Sequence, residues 1–312
     1  ALFFGLSRFI TDLMWYGQLG FQSVVWTQLG VKIGLWVAYA LLMALTGFIA
    51  AWLAIRARPD SADGSTIRIN GDVVEVGKSA SSKTARRVAV VISLIVGVIF
   101  GSQFNANWSE ILLMFNAQKF GTTDPQFGLD NGFYVFVLPG LKLVLAAVAM
   151  LLGVGLIFSL VTHVLMGGIR ITMPVNGRGL FSITKRARRQ LGIWLILNML
   201  AWSVRQVLGV FEQLTVQGSR ITGASYTAVH ANIPVTFIMA ALTAILGVVL
   251  GVWLMRSHAL EGQASIGVRA SAALKAWRVP VIAIAATVVV GMVLTIAWPM
   301  LLQRFRVNPN AQ

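Results

Sequence analysis

Five long apolar runs dominate this chain: Val31–Ile55, Leu141–Leu165, Leu191–Val210, Ile233–Met255 and Val279–Leu302. Each reaches or exceeds the roughly 20 residues that a helix needs to cross the ~30 Å hydrocarbon core of a bilayer. Val88–Phe104 is shorter, yet about 17 residues still suffice for an untilted helix. Ala1–Ile10 reads as the tail of a further span, because "ALFFGLSRFI" flows into the aromatic "LMWY" expected at a membrane interface. The expected fold class is therefore all-α, a polytopic membrane helix bundle of about seven spans with the first incomplete. The spans are placed at about 1–15, 31–55, 88–104, 139–165, 191–212, 233–255 and 279–302.

Composition agrees, since only 11% of residues are charged, against about 25% in soluble domains. The net charge of +15 raises the question of nucleic acid, and the placement of the charge answers it. Three alternate loops, Arg56–Arg87, Gly167–Gln190 and Arg256–Arg278, hold seven, six and four Lys/Arg, together 17 of the 25 in the chain. This asymmetry is the positive-inside pattern. It predicts a multi-pass membrane protein with these loops cytoplasmic, and with the Phe104–Pro139 loop and the C-terminus outside. Anionic phospholipid head groups account for the basic charge without nucleic acid. With no cysteine in the chain, thiol chemistry and Cys-ligated metals are excluded.

The connecting segments carry their own signals. In "STIRINGDVVEV", Asn70-Gly71 between alternating apolar residues predicts a small cytoplasmic β-hairpin. "ASIGVRASAALKAWR" reads as an interfacial helix turning Arg269, Lys275 and Arg278 toward phosphates. Before the Leu191–Val210 run, Lys185, Arg186, Arg188 and Arg189 are expected to contact cytoplasmic lipid head groups. On the outer side, "NWSEILLMF" predicts an amphipathic helix on the outer leaflet, with Asn107 as cap and Glu110 answering it three residues later.

The segment "FGTTDPQFGLDNGFYVFVLP", Phe120–Pro139, is the most elaborate interruption of the apolar pattern. Asp124-Pro125 starts a turn, Gly121 and Gly128 permit positive φ, and Phe133, Tyr134 and Phe136 return the chain to the interface. Pro139 suits the first turn of the following span. The reading is an ordered re-entry loop, with Asp124, Pro125, Phe127, Gly128, Asp130, Phe133 and Tyr134 shaping an outward surface for a partner. Asp124, Asp130 and Asn131 offer oxygens to a hard cation, but three ligands fall short of the six to eight that Ca²⁺ takes. No metal and no cofactor is expected.

One span is unusually polar. Asn198, Arg205 and Glu212 recur every seven residues and share a helical face, and intramembrane charges normally face a bundle interior, a partner or water. They form either a helix bridge with two charges at the outer interface, or a polar conduit. Ser225 and His230, five residues apart, are the remaining pair with catalytic residue types. Their spacing puts them off-face on a helix, and a nucleophile needs its base within hydrogen-bond reach. His163 and His258 show no metal-ligand spacing.

Across essentially all of its length the chain resembles uncharacterised protein family 0182, large integral membrane proteins found especially in actinobacteria. The likeness rests on "TDLMWYGQLGFQSVVWTQL" (Thr11–Leu29), the Phe120–Pro139 segment, "GASYTAVHANIP" (Gly223–Pro234) and "QRFRVNPN" (Gln303–Asn310). Ala228 and Gly17 stand where the family often carries an acidic residue. The resemblance implies a transmembrane domain over 1–306, with 307–312 starting a linker to an extracytoplasmic domain. It implies no activity. The expected function is a non-enzymatic membrane scaffold or anchor subunit, partnered by other membrane or envelope proteins in envelope assembly or membrane quality control. A transporter or lipid conduit is the alternative, and an intramembrane hydrolase the third reading.

Overall fold

The computed structural model describes residues 2–57, 65–69, 72–76, 82–171, 181–215, 223–257 and 266–307. It is a helical bundle. Helix α1 (Leu2–Gln18) turns at Gly20, whose φ of 77° suits a residue without a Cβ, into the long α2 (Gln22–Arg56). After strands β1 (Ser65–Ile69) and β2 (Asp72–Val76) come α3 (Ser82–Phe104), the short α4 (Trp108–Phe115) and α5 (Leu138–Leu165). Strands β3 (Ile169–Ile171) and β4 (Phe181–Ile183) precede α6 (Lys185–Glu212), followed by α7 (Ile233–Arg256), α8 (Ile266–Met292) and α9 (Trp298–Leu302).

Among the described residues, six helical stretches are long and apolar enough to cross a membrane: Gln22–Arg56, Lys83–Ser102, Phe133–Leu165, Lys185–Glu212, Ala228–Arg256 and Trp277–Arg306. They extend past the apolar runs because the flanking polar residues, such as Lys185–Gln190, are good helix formers too. Thr184 caps α6 by accepting from Ala187 N–H.

The predicted hairpin is present, β1 and β2 pairing antiparallel with Ile69 opposite Asp72. A second hairpin, β3–β4, was not legible. It seats Ile169 and Ile183 on Ala187, Leu191, Leu156 and Trp253. The segment expected to be a separate interfacial helix is instead the start of α8, one helix continuous with the last span. The cap expected at Asn107 is also absent. Its side chain makes no capping bond, because a 3₁₀ turn over Asn105–Asn107 carries α3 almost into α4.

Among the described residues, every π-helical turn ends two residues before a proline in the sequence: Phe133–Val137 before Pro139, Ala228–Asn232 before Pro234, Val293–Ala297 before Pro299 and Gln303–Val307 before Pro309. Proline has no N–H to give the carbonyl four residues back and crowds it with its ring. The preceding Leu138, Ile233 and Trp298 therefore donate to Phe133, Ala228 and Val293, five residues back.

Small residues let the helices approach closely, as membrane packing requires. A Cβ on Gly97 would collide with the Ala40 carbonyl of α2, and one on Gly192 would lie 2.8 Å from the Gly251 carbonyl of α7. Hydrogen bonds also cross between helices, from Tyr39 of α2 to Ala147 O of α5 at 3.0 Å and from Ser203 of α6 to Ala240 O of α7 at 2.7 Å. One side-chain core, Tyr39, Met43 and Val154 with Val96, Phe100, Leu151 and Phe158, joins α2, α3 and α5.

Candidate functional site

The Phe120–Pro139 segment is held by its own two carboxylates. Asp124 is 9% exposed; its Oδ1 accepts from Gln126 N–H (2.8 Å) and Phe127 N–H (2.7 Å), its Oδ2 from Leu129 N–H (3.0 Å) and Tyr134 O–H (2.8 Å). Asp130 does the same for the start of the loop and the turn at Gly132. Its Oδ1 accepts from Phe120 N–H (3.0 Å) and Gly132 N–H (2.7 Å), and its Oδ2 from Gly121 N–H (2.9 Å). Thr123 and Asp130 form an isolated antiparallel bridge, and Asn131 reaches Thr122. Gly121 and Gly128 adopt φ of 73° and 67°, as the turn chemistry demands.

These bonds set the electrostatics. Burial alone raises the Asp124 carboxyl, but the Phe127, Tyr134, Leu129 and Gln126 donors outweigh it and hold the group below its ordinary 3.8. For Asp130, the Phe120 and Gly132 N–H groups lead, burial opposes, and Gly121 and the Lys119 charge add, again lowering it. Carboxylates already encircled by N–H donors present positive dipole ends where a cation's other ligands would need to be. Among the described residues no group of three or more His, Cys, Asp or Glu could hold a metal. The loop is also seated on the bundle, Phe127 and Phe133 packing on Phe211 near the end of α6 at ring separations of 4.9 and 5.7 Å.

The polar face of α6 does not act as one unit. Asn198 donates to Leu152 O of α5 at 3.0 Å and to Trp194 O at 2.8 Å, bridging two helices. Arg205 is exposed, its guanidinium 5.4 Å from the Trp202 ring centre. Glu212 pairs with Lys142 of α5, a partner 70 residues away that spacing within α6 could not reveal.

At the basic end, Lys185, Arg186 and Arg189 are exposed as expected, but Arg188 is 1% exposed and points into the bundle. The expectation that Arg188 meets head groups is therefore corrected: on a helix packed against two others, one position in this run must face inward. Sequence reasoning also missed the cluster beneath it. Gln190 donates to Ala50 O of α2 and to Ser159 of α5, both at 2.8 Å, and meets Nε2 of the fully buried His163 at 3.0 Å. The signal was available as polar residues at helical spacing, Ser159 and His163, inside an otherwise apolar run.

Ser225 and His230 are engaged elsewhere. Ser225 Oγ accepts from Ala228 N–H at 3.2 Å, while the His230 ring stacks on Tyr226 at 4.0 Å and meets its carbonyl at 3.1 Å. His258 lies outside the described residues, as do the side chains of Arg269 and Lys275.

Comparison with known proteins supports a single family. The model of the Uncharacterised protein family UPF0182 matches residues 1–312. A UPF0182 protein of Bifidobacterium longum is 93% identical over 312 residues, which is all of this chain and 29% of that protein. One from Bifidobacterium adolescentis is 75% identical over the same share of each. One from Corynebacterium diphtheriae is 31% identical over 301 residues, 96% of this chain and 28% of that protein. The chain thus spans under a third of the length of the curated relatives it matches. No solved structure matches it.

Proposed function

We propose, on the premise that this chain belongs to the uncharacterised protein family UPF0182, that it is a non-enzymatic integral membrane scaffold or anchor subunit. Its setting is a bacterial plasma membrane with the basic loops cytoplasmic, and its partners are proteins of a cell-envelope assembly or membrane quality-control complex. One observation carries this reading: Asp124 and Asp130 spend their lone pairs on backbone N–H groups of their own loop. A loop whose polar groups fix its shape, and which is anchored on Phe211, is suited to presenting a constant surface to another protein. The separate engagement of Asn198, Arg205 and Glu212 supports the same side, because transport sites gather their charges around broken helices at the midplane.

The test is affinity purification of the full-length protein from its own membranes in mild detergent, with co-purifying proteins identified by mass spectrometry. Stoichiometric partners that leave when Asp124 is changed to Asn are expected. A partnerless, monodisperse protein would end the scaffold reading.

A conduit remains the second reading, favoured by the Lys142–Glu212 pair that ties two spanning helices by opposite charges. Under that reading Glu212→Gln abolishes lipid or solute flux in reconstituted vesicles; unchanged flux removes it.

A further inference from the structure

Between the basic ends of α2 and α6 lies an open cleft lined by Leu53, Arg56, Ala57, Arg186, Arg189, Gln190 and Ile193. Its charges and its apolar surface are separated by depth. Arg56 ends α2, and Arg186 and Arg189 fall in the first turns of α6, so three arginines line the cleft near the ends of the two helices. Leu53 lies three residues before Arg56 and Ile193 four residues after Arg189, about 5 and 6 Å farther toward the middle of the bundle at 1.5 Å per residue. Both are exposed, at 42% and 45%. The cleft thus carries its arginines near the helix ends and its apolar residues farther in.

Its frame is fixed by neighbouring groups. Gln190, on the cleft wall, is held by Ala50 O of α2 and Ser159 of α5, which locks the spacing of the two helices at that level. The Arg56 guanidinium lies 3.7 Å from the Trp52 ring centre, a stack that orients its planar fork. Of the carboxylates whose side chains are described, Glu110, Asp124, Asp130 and Glu212 lie toward the opposite end of the helices, and Asp12 is on α1.

We propose that this cleft is a binding site for one anionic glycerophospholipid. Its phosphate is held by Arg56, Arg186 and Arg189, and an acyl chain runs along Leu53 and Ile193. Guanidinium forks match phosphate oxygens in pairs, and among anions only a lipid also offers hydrocarbon to the surface below. The inference rests on membrane insertion with this end at the head-group level. It does not depend on the scaffold role.

Native mass spectrometry of the full-length protein, titrated in detergent with phosphatidylglycerol and separately with phosphatidylcholine, tests it. One tightly retained phosphatidylglycerol is expected. The triple variant Arg56→Gln, Arg186→Gln, Arg189→Gln should bind it on the order of 100-fold more weakly, a few-fold for each charge at a lipid surface. Lys83→Gln, Arg86→Gln, Arg87→Gln, which removes three charges from exposed positions on α3, should leave retention unchanged. Equal losses in the two triple variants would reduce the effect to bulk charge and overturn the site. Glycerol phosphate, which lacks acyl chains, identifies the source: if it competes as well as the lipid, the site binds free phosphate esters and the lipid assignment is wrong. Should the triple variant aggregate, Arg56→Lys carries the test, because it keeps the charge and loses the fork. Undiminished retention there refutes the Arg56 contact.

Discussion

The Tyr134 hydroxyl donates to Asp124 Oδ2 at 2.8 Å, joining the π turn that opens the α5 span to the turn that begins the loop ten residues earlier. This bond ties the loop to the helix. Tyr134→Phe removes a single donor from a carboxylate that keeps three others, and costs about 1 kcal/mol. Asp124→Ala leaves the Gln126, Phe127 and Leu129 N–H groups without their acceptor, and costs about 1–3 kcal/mol. Thermal unfolding in detergent should rank the two variants in that order, and a reversed order would show that the hydroxyl, not the carboxylate, organises the turn.

Acid should loosen the same loop. Both carboxyls are held below 3.8, so their stabilising contribution is complete above that pH and is lost as the pH falls through the lower folded values. Hydrogen exchange at the Phe127 and Leu129 amides, corrected for intrinsic rates, is expected to be slow at neutral pH and to accelerate only below 3.8. Loss of protection already near pH 6 would contradict this assignment of the bonds.

The Lys142–Glu212 pair is about 40% exposed on both sides, so in aqueous detergent it contributes less than about 1 kcal/mol. Its signature is reciprocity. Lys142→Glu and Glu212→Lys should each lower the melting temperature, and the two together should recover most of the loss. Additive losses in the double variant would show that the groups do not act as a pair.

Gly97 meets the Ala40 carbonyl so closely that α2 and α3 must part to admit a side chain. Gly97→Val should destabilise by about 1–3 kcal/mol, the usual cost of overpacking. Gly34, which has open space around it, should accept alanine with no such loss. A pair of melting curves suffices to compare them.

Asn198→Leu removes one bond between α6 and α5, worth about 0.6 kcal/mol by the average for such bonds in membranes. Under the scaffold reading the variant keeps its partners in affinity purification. Loss of partners without loss of stability would move the functional surface to the polar face of α6.

Much of this architecture was determined by the sequence alone. Apolar run length demands spanning helices, Asn70-Gly71 demands a hairpin, and Asp124-Pro125 with Gly121 and Gly128 demands an ordered turn. These constraints act between neighbours along the chain, through backbone sterics and the cost of unpaired peptide groups in hydrocarbon, and so they can be read there. The prolines that force the π turns are equally local and could have been read.

Only the tertiary structure decided which way each helix is rotated and what its faces meet. Arg188 turns inward while Arg186 and Arg189 stay out, Glu212 finds Lys142, and Arg56 comes beside Arg186 across the cleft. α6 carries polar residues both inward, at Arg188 and Gln190, and outward, at Arg189 and Arg205, so no amphipathic stripe marks its inner face. Its orientation is set by close-packed contacts such as Gly192 with Gly251 and Gly155 with Trp194, between residues far apart in the chain.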